Sequence, residues 1–333
     1  MKAPSLFIAG LLILVFNLAA CGGGTNSQQA TAQAISDSVS QTATAAAGGG
    51  FGTNLETAQT QATLDSQSYA ETQAAAQSLS AEALAATATA SAPFIAELPN
   101  YGVDPAAGRM GWIHPPVTLD IQGYLQYDYA NRFIGTVASD FVVSADITWN
   151  TSYGTSGCGF VLRSDGKEDA LSQYLAIATR GGNGRVIFST MQQGEVKNVI
   201  DNYAYGKDPL FDWQNGVTNR LTVVARDEVF TLYTNGTKIG EVTAGKPPVL
   251  ILPDPPSEPP PDASEDVLAE YQNELSEYDD LVSQMQNRYR QNQAIYQPET
   301  PFYDRGFVAL VALSESGRTV CEFSNAWLWI IEE

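Results

Sequence analysis

The side chains best suited to catalysis or metal binding are scarce in this sequence. It contains one histidine, His114, so a histidine-based catalytic triad or a site with several histidine ligands is not available. Two acidic pairs, Glu265-Asp266 and Asp279-Asp280, lie where the periodicity is helical, and a solvated helix face accounts for them. No glycine-rich phosphate loop follows a predicted strand. The sequence therefore predicts a protein that is not an enzyme and that has no cofactor.

One acidic turn offers oxygen ligands. Asp165, Glu168 and Asp169 stand close together between two predicted strands, and loop carboxylates of this kind can bind calcium. A charged turn facing solvent explains the same residues without an ion. We therefore predict no metal site, with calcium binding at this turn as the alternative.

The N-terminus has the features of an export signal. Lys2 precedes an apolar run, Leu6–Phe16, that is too short to span a bilayer comfortably, and Leu18-Ala19-Ala20-Cys21 follows it. This ending resembles the lipobox of bacterial lipoprotein signal peptides, whose cysteine receives a diacylglyceryl group and becomes the new N-terminus. The resemblance implies a signal peptide over residues 1–20 and a lipid anchor at Cys21 on the extracytoplasmic side of a bacterial membrane. An uncleaved anchor or a plain secretory signal is the alternative.

Two further cysteines lie in the part of the chain that would be exported. If Cys21 carries lipid, Cys158 and Cys321 are the only pair left, and thiols outside the cytoplasm are oxidised by default. We therefore predict a disulfide between Cys158 and Cys321. Two separately buried free thiols are the alternative.

Residues 21–95 have the composition of a tether. From Gly22 to about Pro93 the chain has no lysine or arginine and few large apolar side chains, while Ala, Thr, Gln, Ser and Gly dominate. Such a segment buries too little apolar surface to offset the conformational entropy lost on ordering it. We expect a disordered tether between the membrane anchor and a folded region over residues 96–333.

The acidic charge is concentrated in one segment. The formal net charge of the chain is −20, and residues 247–300 hold eleven acidic residues and two arginines, a net charge of −9. The chain has no basic cluster that could attract phosphates. The sequence therefore predicts that nucleic acid is not a partner.

Short runs of strand-forming residues dominate after Trp112. Phe141–Trp149 alternates between apolar and polar residues, as a strand with one buried face does. Asn235-Gly236 stands between two such runs and favours a tight hairpin. The other predicted strands are Gly159–Arg163, Tyr174–Thr179, Arg185–Met191, Arg220–Ala225, Val229–Tyr233, Lys238–Val242, Phe307–Leu313 and Val320–Ile331. Many antiparallel strands at short spacing indicate a β-sandwich or a barrel.

One insertion, residues 246–300, interrupts these strands. Pro247–Pro261 is proline-rich and should be extended. Asp262–Tyr296 has apolar residues at a 4-3 spacing, which predicts one long amphipathic helix with Asp262 as its N-cap. We expect the apolar stripe of this helix to pack on the sandwich or on the tether. A coiled-coil contact with a protein partner is the alternative.

Three runs occur in a recognisable order: Gly157–Arg163, Asn219–Gly236 and Gly306–Trp327. The order resembles the jelly roll of concanavalin A-like lectins and glucanases, especially its bacterial laminin-G-like branch. The resemblance implies an all-β, two-sheet antiparallel jelly-roll sandwich over roughly residues 106–331, with the long helix inserted. Lectins, glycosidases and adhesion modules all use this fold, so the resemblance leaves the activity open.

The residues favour binding over hydrolysis. Retaining hydrolysis on this fold needs two carboxylates about 5 Å apart, which the pattern E-x-D-x-x-E places on one strand face, and no predicted strand carries that pattern. Asp146 and Arg163 fall on polar strand faces, while Tyr203, Tyr205 and Trp213 lie in or near loops, so these five are candidate ligand-binding residues. The alternative is a cross-strand ion pair between Asp146 and Arg163, with Trp213 covering a sandwich edge.

The sequence therefore predicts a surface-anchored lipoprotein whose sandwich binds an extracellular glycan or another polymer without cleaving it. An interaction or assembly module that engages a protein through the helix Asp262–Tyr296 is the first alternative. A divergent glycan hydrolase, with an acid pair drawn from separate strands, is the second.

Overall fold

The computed structural model describes residues 89–130, 132–133, 135–167 and 170–332. The predicted signal peptide, Cys21 and the predicted tether as far as residue 88 lie outside the described residues. No helix within the described ranges is long and apolar enough to cross a membrane.

In this part of the chain, fourteen strands form two antiparallel sheets, and one long helix is inserted between the twelfth and thirteenth strands. The strands are β1 (Gly108–His114), β2 (Val117–Gln122), β3 (Gln126–Ala130), β4 (Val137–Ala138), β5 (Phe141–Thr151), β6 (Gly157–Ser164), β7 (Gln173–Thr179), β8 (Arg185–Gln192), β9 (Glu195–Tyr203), β10 (Thr218–Arg226), β11 (Val229–Thr234), β12 (Thr237–Thr243), β13 (Gly306–Ser314) and β14 (Arg318–Ile331). The helix, α1, spans Glu265–Ile295.

The two sheets form a sandwich around one apolar core. The first sheet has the order β1-β14-β5-β10-β11-β12, with β2 also paired to β14. The second has the order β3-β13-β6-β7-β8-β9, with β4 also paired to β13. Side chains from both sheets meet in the core cluster. The predicted all-β, two-sheet antiparallel jelly roll with one inserted helix is confirmed.

Strand β5 shows how the sequence builds this core. Phe141, Val143, Ala145, Ile147 and Trp149 alternate along the strand, and all five are buried in the core cluster. The predicted buried face is therefore correct. The predicted hairpin is present as well, since β11 leads into β12 and both residues of Asn235-Gly236 have the positive φ that a type I′ turn requires.

A disulfide joins the two sheets through the core. Cys158 on β6 and Cys321 on β14 are bonded, their Cα atoms are 5.7 Å apart, and both residues are fully buried. The predicted pairing is confirmed. The bond closes a loop with a sequence separation of 163 residues, which includes most of the sandwich strands.

The outer face of the first sheet is covered by the chain that precedes β1. Residues 89–95 are helical, and a 3-10 helix, Leu98–Tyr101, follows. Leu98 packs in an apolar cluster with Val142 of β5 and Trp327 of β14, and the Phe94 ring lies 5.9 Å from the Trp327 ring. The folded region therefore includes Phe94 and Ile95, which lie inside the segment predicted as tether.

An ion-pair chain fixes this covering segment to the sheet. The guanidinium of Arg220 pairs with Glu97 through Nη1, and its Nε donates to Asp146 at 2.7 Å. Burial disfavours the charged guanidinium, but the hydrogen bonds that it donates to Asp146 and Glu97 outweigh that effect and raise the pKa of Arg220. Arg220 therefore remains a cation that binds both carboxylates.

The insertion leaves the sandwich after β12 and returns at β13. Helix α1 begins at Glu265 with Ser264 as the N-cap residue, so the predicted N-cap, Asp262, lies two residues before it. Its least exposed residues are Leu281, Met285 and Asn292. The face that carries them turns toward the sandwich.

The proline-rich segment before α1 has a burial period of three. Leu250, Pro253, Pro256 and Pro259 are half-buried, and the residues between them are exposed. Three residues per turn is the period of a polyproline II helix, so one face of the extended segment is covered. The Tyr278 hydroxyl on α1 donates to the Pro253 carbonyl at 3.1 Å. The extended segment and α1 therefore pack together as a hairpin.

Candidate binding cleft at the sandwich edge

Arg163 is a buried structural residue and does not lie on an exposed strand face as predicted. Its Nε donates to the Ser139 carbonyl at 2.9 Å, and its Nη1 donates to the carbonyls of Asp227 at 2.6 Å and Tyr303 at 3.1 Å. Only 1% of the residue is exposed, and burial lowers the pKa of its guanidinium. Arg163 therefore joins three loops and cannot reach a ligand at the surface.

Asp146 lies in the other sheet, so it does not meet Arg163. Its carboxylate accepts hydrogen bonds from Arg220 Nε and from Asn325 Nδ2, each at 2.7 Å. The cross-strand ion pair given as the alternative is therefore wrong, and the structure does not bring these two candidate ligand-binding residues together. Asp146 instead helps to fix the segment that covers the first sheet.

Trp213 stands apart from both of these residues. It is half-buried in the connection between β9 and β10, close to the turn at Gly184. Its neighbour Phe211 packs against Trp149 of the core, with ring centroids 5.8 Å apart. Trp213 therefore covers the sandwich near a β7–β8 turn, which is the role given as the alternative.

Tyr203 and Tyr205, the two remaining candidates, line a cleft of about 480 Å³ at one edge of the sandwich. Strands β9 and β12 are edge strands of the two sheets, and together they form its floor. Gly240 allows the strands to come close, since a Cβ atom there would lie 2.0 Å from Asn202 Oδ1. The insertion supplies the other walls through residues 246–254 and α1.

A buried charge network attaches α1 to β9 beside the cleft. The Asp201 carboxylate lies 3.2 Å from Arg185 Nε and 3.2 Å from Arg288 Nε, and it accepts a hydrogen bond of 2.6 Å from Asn292 Nδ2. The side chain of Asp201 is only 5% exposed, so these charges compensate one another away from water. The network sets the position of the helical wall, and Leu281 and Met285 pack on Tyr203 next to it.

The packing of α1 bears on the alternative in which this helix binds a protein partner. The apolar stripe predicted for such a contact includes Met285, which is buried against the sandwich with Leu281. Tyr296, at the end of the helix, donates its hydroxyl to the Gly245 carbonyl at 3.0 Å. This stripe therefore faces the chain itself from Leu281 to Tyr296.

Aromatic rings and hydrogen-bond donors converge on the cleft. Tyr205 and Tyr289 are half-buried, and each keeps part of its ring accessible. Lys207 and Lys246 also line the cleft, as does Asn202, which is 8% exposed. The Asn202 Nδ2 atom has no hydrogen-bond partner among the described residues. The cleft thus combines flat apolar faces with polar groups that can orient a ligand.

Sequence reasoning found part of this cleft and missed the rest. Tyr289 belongs to the predicted helical stripe, but its approach to Tyr205 depends on how the insertion folds back. Lys246 follows Gly245 at the start of the proline-rich segment, and no local pattern marks it. A sign that was available is the insertion point itself, because the first residues of an insertion lie beside the strand that they leave, here β12.

The acidic turn named as the alternative calcium site is only partly described by the structure. No group of three or more His, Cys, Asp or Glu side chains in the described ranges is arranged to hold an ion. Glu168 and Asp169 of the acidic turn lie outside the described residues. Asp165, the third member, accepts hydrogen bonds from the backbone N–H groups of Lys167 and Ser172.

By its architecture the protein is a two-sheet β-sandwich with a cleft at one edge. No protein-family model matches the chain, and no curated protein matches it. Among solved structures, it is similar to the carbohydrate-binding module CBM66 from Bacillus subtilis, at 12% identity and a TM-score of 0.35, over 63% of this chain and 94% of that one.

The chain is also remotely similar to two further solved structures. Sheep galectin-11 in complex with glycerol is 12% identical with a TM-score of 0.25, over 37% of this chain and 80% of that one. A putative glycosyl hydrolase from Parabacteroides distasonis is 10% identical with a TM-score of 0.32, over 64% of this chain and 87% of that one. Similarities this remote carry no argument about what this chain binds.

Proposed function

We propose that this chain is a bacterial surface lipoprotein whose sandwich binds an extracellular glycan in the edge cleft without cleaving it. The observation that carries the proposal is the pair of partly accessible tyrosines, Tyr205 and Tyr289, on the walls of a cleft that Lys207 and Lys246 also line. Sugar rings present C–H faces that stack on aromatic rings and hydroxyl groups that need hydrogen-bond partners. Both requirements are met in one place.

The size and position of the cleft support the same proposal. A volume of about 480 Å³ lies within the usual range for small-molecule sites and would accommodate one or a few sugar units of a polymer. The cleft lies at an edge of the sandwich, where a long chain can enter and leave. The Asp201 network holds its helical wall in place, so little ordering is needed on binding.

Replacing either cleft tyrosine with alanine is expected to weaken glycan binding several-fold. Loss of one stacked ring removes about 1 kcal/mol of binding free energy, which corresponds to roughly a fivefold change in Kd. Affinity electrophoresis of Tyr205→Ala and Tyr289→Ala against β-glucans and other soluble polysaccharides measures this change. Tyr124→Ala is the matched control, because Tyr124 is 71% exposed and lies outside the cleft.

Three results would contradict this proposal. If no polysaccharide retards the wild-type protein, the cleft is not a glycan site. If reducing ends are released and the release stops when one acidic residue is replaced, the protein is a hydrolase and the proposed absence of catalysis is wrong. An equal loss of binding in Tyr124→Ala would place the site elsewhere.

The membrane anchor is proposed from the Leu18-Ala19-Ala20-Cys21 motif. Cys21→Ala should move the protein from the detergent phase to the aqueous phase, because the thiol that would carry the lipid is absent. Detergent phase separation with mass spectrometry of the N-terminal peptide tests this. Ser27→Ala, which leaves the motif intact, should behave as wild type. A wild-type protein found unlipidated in the aqueous phase would refute the anchor.

A further inference from the structure

The cleft is lined by two lysines, Lys207 and Lys246, and their ammonium groups are hydrogen-bond donors. The described ranges contain five lysines, and four of them have defined partners. Lys167 pairs with Asp165, Lys197 with Glu195 and Lys238 with Glu241, while Lys207 donates to the Ile239 carbonyl. The backbone of Lys246 bonds to Thr243 and Asn198, but its ammonium group has no hydrogen-bond or ion-pair partner within the described part of the chain.

Lys246 lines the cleft, so its free ammonium group is available to a ligand there. Lys207 lines the same cleft and uses one N–H for the Ile239 carbonyl, which leaves two more protons to donate. Burial lowers the pKa of the Lys207 ammonium, and a negative charge nearby would offset that cost. Two cationic groups therefore face one cavity.

The acidic side chains of the cleft do not cancel this charge. Glu241 lines it but is paired with Lys238 at 2.9 Å, and Asp201 is enclosed by Arg185 and Arg288. Asp254 remains as the single exposed carboxylate on the rim without a cationic partner among the described residues. The net charge of −20 repels anions at long range, but physiological salt screens charges beyond about 8 Å. The charged groups inside the cleft therefore determine whether an anion binds there.

Asn202 adds an independent sign of a missing acceptor. Asn202 is 8% exposed and lines the cleft, and its Nδ2 atom has no hydrogen-bond partner among the described residues. A buried amide N–H₂ without an acceptor costs free energy. The Nδ2 atom is itself closed off from solvent, so Lys246 and Lys207 are the donors that a ligand in the cleft reaches first.

We propose that the glycan bound in this cleft contains uronic acid residues, whose carboxylate lies against Lys246 while the sugar ring packs on Tyr205 or Tyr289. This inference rests on the proposed glycan-binding function and names the ligand class for the same cleft. Sugars offer hydroxyl, ether and, in uronic acids, carboxylate oxygens as acceptors. An ammonium group binds the carboxylate most strongly of these three, because both partners are charged.

Isothermal titration calorimetry of the full mature chain in detergent tests the inference with a matched pair of ligands. The probes are a short oligogalacturonate and the same oligomer with its carboxylates methyl-esterified, which keeps the rings and removes the charge. The acid form is expected to bind roughly tenfold more tightly, as one charge-assisted contact allows. Lys246→Gln should abolish this preference, so that the variant binds the acid form and the ester form with the same affinity.

Lys167→Gln is the matched control, because the Lys167 side chain is 74% exposed on a turn outside the cleft. This variant should keep the full preference for the acid form. If the wild-type protein binds both oligomers equally and Tyr205→Ala weakens both, uronic acid recognition is refuted while glycan binding stands. A preference that survives in Lys246→Gln refutes the assignment to Lys246. Absence of binding to any glycan refutes both proposals.

Discussion

Replacing Cys158 and Cys321 together with alanine is expected to lower the free energy of unfolding by about 5 kcal/mol, as the chain-entropy estimate for a loop of this length gives. The disulfide closes a sequence separation of 163 residues, so its loss frees a large part of the unfolded chain. Both cysteines are fully buried in the core between the sheets, and no other covalent link joins β6 to β14 in the described residues. Removing the bond therefore increases the conformational freedom of the unfolded state far more than that of the folded state.

Urea unfolding of the double variant and the wild type under non-reducing conditions measures this effect. Cys21→Ala is the matched control, since it removes a cysteine that takes no part in the bond, and its unfolding free energy should equal that of the wild type. Wild type treated with a reductant should resemble the double variant. Equal stability of the double variant and the wild type, or recovery of both cysteines as free thiols from untreated protein, would contradict the prediction.

Much of the sandwich is readable from its sequence because strand alternation and turn chemistry are local. The alternation of β5 identifies its buried face, and Asn235-Gly236 identifies a hairpin, since both signals depend on neighbouring residues alone. Cysteine pairing is also readable, because only one pair was left. These features need no knowledge of which strands become neighbours.

The outer face of the first sheet shows where alternation fails. Val142 and Trp327 point away from the core, yet both are fully buried. The segment that contains Phe94 and Leu98 covers them, and the sequence places Phe94 at the end of the predicted tether and Leu98 just after it. Alternation assigns a residue to one face of a strand, but it does not show what covers that face.

The candidate site was only partly predictable for a related reason. Asp146 and Arg163 were assigned to polar faces, but alternation does not show that their strands belong to different sheets. Arg163 also has a φ of +48°, and the register between β6 and β13 shifts beside it, so its side chain leaves the alternating pattern. Tyr203 and Tyr205 were identified, whereas Lys246 and Tyr289 join them through the folding of the insertion.

Arg163→Met is expected to destabilise the sandwich by about 3–5 kcal/mol, the usual cost of breaking a buried and fully paired charged group. Methionine keeps the unbranched apolar part of the side chain as far as the position of Nε, but it donates no hydrogen bond. The carbonyls of Ser139, Asp227 and Tyr303 would then lose a donor in a region away from water. The three segments that these carbonyls belong to would lose their common contact.

The comparison with Arg318 separates a buried from an exposed arginine. Arg318 pairs with Asp120 at 2.6 Å, but its side chain is 61% exposed, so Arg318→Met should change the unfolding free energy little. Urea unfolding of both variants provides the stability comparison, and glycan affinity measured on folded protein provides a second readout. A ligand-binding role for Arg163 requires weaker binding at normal stability. A purely structural role for Arg163 requires the reverse: lower stability, with unchanged affinity in the molecules that remain folded. An unfolding free energy of Arg163→Met equal to that of the wild type would contradict this structural role.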